Sequence, residues 1–115
     1  MNATKHVIDA LLSNQQLKAM TKGAIHPVIA RYGTDCPYII VRTDAAEMRR
    51  SKAGHINGVT YSLSIAVVAD SYNELMQLVQ LVEQLDTNKY EVNGYRESYE
   101  EPDKLVAEIN INYSE

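Results

Sequence analysis

The stretch VTYSLSIAVVADSYNELMQLVQLVEQL, residues 59–85, carries two hydrophobic periodicities in succession. From Val59 to Ala69 every second residue is apolar, which is typical of a β-strand with one face on a hydrophobic core. After Asp70 the apolar residues recur three and four positions apart, as in an amphipathic α-helix. These helical positions are Leu75, Leu78, Val79, Val82 and Leu85. The stretch therefore predicts a strand that leads directly into a helix.

The start of this helix is marked by Ser71 and Glu74, which form the S-x-x-E pattern of a capping box. The serine hydroxyl and the glutamate carboxylate each accept a hydrogen bond from a backbone N–H group that the first helical turn leaves unpaired. We expect the helix to cover residues 71–86, a length of about 24 Å.

A second amphipathic segment lies upstream, in VIDALLSNQQLKAM at residues 7–20. Thr4 is the expected N-cap of this helix, and residues 13–16 interrupt it. The helical spacing then resumes for a short second turn that Gly23 ends. The residues that share the apolar face are Val7, Ile8, Leu11, Leu12, Leu17 and Met20.

Three further segments have strand character. Tyr38–Thr43 is rich in β-branched residues, and residues 105–113 alternate between apolar and polar side chains. Residues 90–99 resemble a hairpin with a tight turn at Asn93-Gly94, because both turn positions favour a positive φ angle. The acidic run EEPD at residues 100–103 interrupts the chain after it.

The order of these segments predicts an α+β fold in one domain, residues 1–115. We expect a mostly antiparallel sheet of about four to five strands, with two helices packed on one face. The segment GAIHPVIA at residues 23–30 belongs at a sheet edge or in a loop, because Pro27 cannot donate to a strand ladder.

Charge is distributed unevenly along the 115 residues. Residues 1–60 hold eight Lys/Arg and four Asp/Glu, a balance of +4, whereas residues 61–115 hold three and eleven, a balance of −8. The acidic half would repel phosphates, which disfavours general nucleic-acid affinity. The two halves either solvate opposite faces of one molecule or allow a basic part to meet the acidic part of a neighbour.

Composition also limits the cellular setting. Cys36 is the one cysteine, so no internal disulfide can form, and this suits a reducing compartment. We find no signal-peptide pattern, and the longest apolar run, near residues 65–69, is too short to span a bilayer. A soluble, non-secreted protein is expected.

Catalytic and metal-binding patterns are weak. The chain contains no P-loop, dinucleotide-binding, nucleophile-elbow or HExxH motif, and its histidines are not spaced as a metal pair. Cys36 and His55 could meet as nucleophile and base, but no third group orients them. The acidic residues 97–103 lack the spacing of a calcium loop. We therefore expect no catalytic residue, no metal and no cofactor.

The basic segment EMRRSKAGHING, residues 47–58, allows three interpretations. It could cradle a phosphate, contact nucleic acid, or act as a long polar loop that a partner orders. The composition favours the last of these. Its basic side chains, Arg49, Arg50, Lys52 and His55, would then meet carboxylates of a neighbouring copy, for which the candidates are Glu97, Glu100, Glu101 and Asp103.

The order of these pieces resembles the tail terminator family of long-tailed bacteriophages and prophages, the tail-completion or head–tail joining proteins. The resemblance covers nearly the whole chain and rests on patterns of apolar spacing and turn residues. A short N-terminal helix leads into GAIHPVIA, and CPYIIVRT (residues 36–43) forms a proline-led strand. After the polar loop a strand passes straight into a helix, and LVAEININY (residues 105–113) ends the sheet.

The resemblance implies a structural role without catalytic residues. Such proteins form a ring, usually of six copies, that caps the tail tube and joins it to the head-side connector. The implied partners are other copies of the chain, the tail tube protein and the connector protein, with no membrane and no sequence-specific nucleic acid. Assembly would take place in the host bacterial cytoplasm, and the product would belong to the virion tail. In this role Arg49, Arg50, Lys52 and His55 would take part in ring contacts.

An alternative remains open from the sequence. A small cytoplasmic ligand-binding or regulatory α+β domain could bind anions at the basic loop. Such a domain would be expected as a monomer, whereas a terminator would form a ring.

Overall fold

A computed structural model describes most of the chain. The described residues are 2–29, 35, 37–54, 56–85, 89–101 and 104–114, and of residues 56, 57 and 99–101 only the backbone is described. Within these ranges the chain forms three helices and five strands. Their bounds are α1 Ala3–Leu12, α2 Gln15–Thr21, β1 Ile25–Pro27, β2 Tyr38–Arg50, β3 Ile56–Ala69, α3 Tyr72–Val82, β4 Tyr90–Glu101 and β5 Lys104–Ser114.

The five strands form one sheet in the order β1-β2-β3-β5-β4. All neighbouring strands are antiparallel except β1, which runs parallel to β2. The predicted α+β class with a mostly antiparallel sheet is therefore confirmed. Pro27 lies in the outer strand β1, where its missing N–H group costs no ladder hydrogen bond.

Strand β3 lies at the centre of the sheet, and its alternation is the one that the sequence predicts. The side chains that it buries are Val59, Tyr61, Leu63, Ile65, Val67 and Ala69. They pack with the apolar faces of the helices, which contribute Val7 and Leu11 from α1, Leu17 from α2 and Leu75, Leu78, Val79 and Val82 from α3. The helices thus cover one face of the sheet, which we call the covered face.

One of the two hydrogen bonds of the predicted capping box is confirmed at the start of α3. The Ser71 side chain accepts a hydrogen bond from the Glu74 backbone N–H at 3.3 Å. This contact fixes the point where β3 gives way to the helix. The helix itself ends at Val82, one turn earlier than predicted.

The N-terminal region differs from the prediction in two details. Asn2, not Thr4, caps α1, with its side chain accepting from the Lys5 N–H at 3.0 Å. The Thr4 hydroxyl lies instead 2.7 Å from the hydroxyl of Thr43, where it joins α1 to β2. The predicted second turn is a separate helix, because Asn14 caps it. Three helices therefore replace the two that were expected.

The predicted hairpin at residues 90–99 is wrong, because these residues form the single strand β4. The register between β4 and β5 shifts between Val92 and Gly94, so Asn93 is the extra residue of a β-bulge. Gly94 faces Asn110, whose side-chain nitrogen would lie 3.0 Å from a Cβ atom at this position. Close approach of two strands, not a turn, therefore requires this glycine. The chain reverses between Glu101 and Lys104, the last pair of the β4–β5 ladder.

The predicted polar loop over residues 47–58 is also wrong. Strand β2 continues to Arg50 and pairs with β3 along its whole length. A short turn joins the two strands, in which the Gly54 N–H donates to the Ser51 carbonyl at 2.9 Å. Gly54 has a φ angle of +86°, a conformation that favours glycine. This region is therefore a β-hairpin with paired backbone groups.

Candidate functional site

The end of the β2–β3 hairpin, described for residues 47–54 and 56–58, projects from the body of the molecule, and we call it the arm. Strand β5 ends at Ser114, which pairs with Thr60, so the arm beyond this pair is two-stranded. Residues 47–50 are all exposed. The molecule measures 53 × 27 × 23 Å with a radius of gyration of 15.1 Å, whereas a compact chain of this length has about 13 Å. The arm accounts for this elongation.

The arm carries the basic residues that the sequence selects. Arg49 pairs with Gly58 and Arg50 with Ile56, near the end of the ladder, and Lys52 lies exposed in the turn. The Arg50 guanidinium donates to the Gly54 carbonyl at 3.2 Å, which holds this side chain at the tip. His55 lies outside the described residues.

The acidic candidates belong to the opposite edge of the sheet. Glu97 lies on the outer strand β4 and is exposed. The backbone of Glu100 and Glu101 belongs to the same strand, but their side chains, like Asp103 as a whole, lie outside the described residues.

The basic and acidic sets are far apart within one copy. Glu97 pairs with Ala107, which pairs with Val67, whereas Arg49 pairs with Gly58. Nine residues of β3 separate these two levels, or about 30 Å along the strand at the usual rise. The two sets also lie on different sides of the central strands. A contact between Glu97 and the arm can therefore form only between copies.

Glu97 has two tyrosine neighbours that the sequence analysis missed. Tyr72, at the start of α3, and Tyr95, two residues before Glu97, lie close enough for its carboxylate to act on their hydroxyl groups. The hydrogen bond to Glu97 and its negative charge raise the pKa of Tyr72. Burial, followed by the charge of Glu97, raises the pKa of Tyr95. Both hydroxyls therefore stay protonated at neutral pH.

These side chains belong to an exposed surface along β4. Tyr72 is 54%, Tyr95 47% and Val92 51% exposed, unusually high values for large hydrophobic side chains. The charge of Glu83, at the end of α3, also acts on Tyr95. We call the group Tyr72, Glu83, Val92, Tyr95 and Glu97 the edge patch. The edge patch cannot be recognised in the sequence. Helix α3 and strand β4 come together only in the folded chain, when β4 pairs with β5.

The second face of the sheet has no helix on it in the described structure, and we call it the open face. Its centre is polar: Arg42 forms an ion pair with Asp44 at 2.8 Å, and Ser64 donates to the Asp44 carboxylate. Ser64 also lies 3.1 Å from the side-chain oxygen of Asn110. Asp44 is the extra residue of a β-bulge between Thr43 and Ala45, which turns its side chain toward Arg42.

One end of the open face is apolar. Val68 and Val106 are buried there. Beside them lies a shallow cavity of about 240 Å³. Its wall includes Val28, Tyr38, Ile40, Ala66, Arg96 and Lys104. The open face thus offers a mixed surface, with an apolar end and a polar centre.

The described residues give little support for a chemical centre. Among them, no group of three or more His, Cys, Asp and Glu side chains is placed to hold a metal ion. Cys36 and His55, considered above as nucleophile and base, both lie outside the described ranges. Across residues that the structure describes, no helix has the length and apolarity needed to cross a membrane.

One solved structure has a similar fold over almost the full length of the chain. It is a chain in the virion of a native gene transfer agent (GTA) particle, with a TM-score of 0.66. The superposition covers 99% of this chain and 98% of the other, at 14% sequence identity. At this identity the likeness concerns the fold. No protein-family model matches the chain, and no curated protein matches it in sequence.

Proposed function

We propose that this chain is a structural protein of a phage or phage-like particle, of the tail terminator type. Copies of the chain would form a ring, by the resemblance usually of six, that caps the tail tube and joins it to the head-side connector. It would act through its shape and surfaces, without a catalytic step. It would assemble in the bacterial cytoplasm and remain in the tail of the particle.

The observation that carries this proposal is the similarity of fold to a virion chain over nearly the full length of both chains. Such coverage includes the helices, the sheet and the arm-bearing region together, beyond a shared core motif. The order of segments along the sequence resembles the terminator family independently of this comparison. The two lines of argument agree on a virion component.

The placement of surfaces supports a ring. A closed ring needs two different patches on each copy, one of which meets the other patch of the next copy. The arm and the edge patch are two such patches, on opposite edges and about 30 Å apart along the strand direction at the usual rise. Because the two patches are too far apart to meet within a copy, a contact between them would join two copies.

Energetic considerations assign separate roles to charged and apolar groups. An exposed ion pair contributes well under about 1 kcal/mol, so charges would mainly set register and orientation. Affinity would come from burial of the exposed apolar side chains, for which Met48 on the arm and Val92 and Tyr95 on β4 are candidates. The open face, with its apolar end, would be left for the tail tube or the connector.

The proposal can be tested in a phage or prophage that encodes the chain. Removal of its gene is expected to leave heads unjoined to tails and to give tubes of uncontrolled length in electron micrographs. Supplying the wild-type chain from a plasmid should restore joined particles of uniform tail length. Normal particles in the absence of the chain would contradict the proposal and favour the small ligand-binding domain.

A further inference from the structure

Strand β4 lies at one of the two edges of the sheet. An edge strand presents backbone N–H and C=O groups to any segment that can lie beside it. Strand β4 covers residues 90–101 and carries charged side chains and a β-bulge, which shield such an edge against unspecific pairing. It also exposes Val92 and Tyr95, so its edge combines apolar and acidic side chains that a specific partner could bind.

The chemistry of the edge patch selects a positively charged, planar group. Glu97 provides a carboxylate that can accept two parallel hydrogen bonds from a guanidinium. Tyr72 and Tyr95 are exposed near this carboxylate, and Tyr95 shares its face of β4 with Glu97, so both offer aromatic rings on which a guanidinium can stack. Glu83 adds a second negative charge close to Tyr95. An arginine on an extended, partly apolar segment fits this surface best.

The arm of this same chain has that chemistry. Arg49 and Arg50 lie at the end of an exposed hairpin strand. Met48, which is 45% exposed, supplies an apolar side chain beside them. Among residues 47–54 of the arm, Arg49, Arg50 and Lys52 are opposed by Glu47 alone.

We propose that the edge patch on β4 receives the arm of a second copy, with an arginine of the arm between Tyr72 and Tyr95 against Glu97. The inference rests on the ring proposed above and names the two surfaces that would close it. Met48 would pack against Val92, and the arm would lie along the edge of β4. A nucleic acid is disfavoured as the occupant, because the phosphates would face Glu83 and Glu97.

A contact of this kind is directional. Each copy would give one arm and receive one, so the same contact repeats around a closed ring. This property allows a test by charge exchange between two variants. In the donor variant, Arg49→Glu with Arg50→Glu, the arm becomes negative. In the acceptor variant, Glu83→Arg with Glu97→Arg, the edge patch becomes positive.

Each variant alone is expected to associate at least about tenfold more weakly than wild type, because like charges would meet at every contact. An equimolar mixture of the two is expected to recover association, with donor and acceptor copies alternating. Native mass spectrometry would then show oligomers with equal numbers of the two variants. Circular dichroism and urea denaturation would verify that each variant is folded, and Asp9→Arg, an exposed carboxylate on α1, is the matched control.

A crosslinking experiment covers the case in which a charge variant fails to fold. In a Cys36→Ser background, Met48→Cys and Val92→Cys on separate copies are expected to form a disulfide, whereas Met48→Cys with Asp9→Cys is not. Two outcomes would overturn the edge contact and leave the ring itself intact. In the first, both charge variants assemble as well as wild type. In the second, a ring forms without the Met48–Val92 crosslink. Wild type that stays monomeric with or without the tail tube protein would overturn both proposals.

Discussion

Strands β2 and β3 pair along their whole length, but the two ends of this ladder differ. Near Ile39 and Val67 the covered face is fully buried under the helices, whereas near Met48 and Arg50 the same ladder is exposed. A two-stranded hairpin is only marginally stable by itself, so the arm depends on the body for its strand structure. The difference shows that backbone pairing forms the arm, whereas burial of side chains holds the body together.

The strongest way to test this contrast is to remove a side chain at each end of the ladder. Ile65 is fully buried on β3, and Ile65→Ala is expected to cost about 2–5 kcal/mol of unfolding free energy through lost burial and a cavity. Met48→Ala on the arm is expected to change it by less than about 0.5 kcal/mol. Both values follow from urea denaturation. A large cost for Met48→Ala would mean that the arm is packed in the isolated chain.

A smaller effect concerns the helix that covers the body. Ser71→Ala removes the side-chain acceptor for the Glu74 N–H and is expected to cost about 1 kcal/mol. Ser98→Ala, at an exposed position on β4, is the matched control and should be neutral within about 0.5 kcal/mol. Equal midpoints in denaturant for Ser71→Ala and wild type would show that the cap does not hold the helix start.

The smallest expected effect is a change in tyrosine titration at the edge patch. Glu97→Gln removes the charge that helps to raise the pKa of Tyr72 and Tyr95, so both pKa values should fall toward 10. Because the folded-state pKa is raised, the stabilising contribution of these contacts is complete below the unfolded value and is lost as pH rises through the folded one. Tyrosine NMR signals followed against pH would report the change, with Glu91→Gln as control. Unaltered titration of both residues would remove Glu97 from the patch.

The sequence predicts the part of the fold in which a buried face imposes a period. The alternation around Leu63 and the helical spacing around Leu78 could be read because both elements place one face on the core. The arm was missed for the converse reason: where neither face is buried, a strand shows no alternation. Asn93-Gly94 was misread because local turn preference gave way to pairing of the whole segment with β5.

The candidate site could be predicted only in part. The basic residues Arg49 and Arg50 were selected by composition, and the structure places them on the arm. The tyrosines of the edge patch were not selected, since Tyr72 and Glu97 are distant in sequence and meet only in the folded chain. The assignment of Thr4 as a cap failed because α1 begins at Ala3 with Asn2 as its cap, which places Thr4 inside the first turn.

The central claim, assembly through the arm, is tested most directly by native mass spectrometry of two chains. The first is wild type, and in the second an Asn-Gly turn joins Met48 directly to Val59 in place of residues 49–58. The ring proposal predicts a closed oligomer of defined copy number for wild type, and assembly through the arm predicts a folded monomer for the shortened chain. A wild-type monomer at every concentration would contradict the ring, and a shortened chain that forms the same oligomer would contradict assembly through the arm.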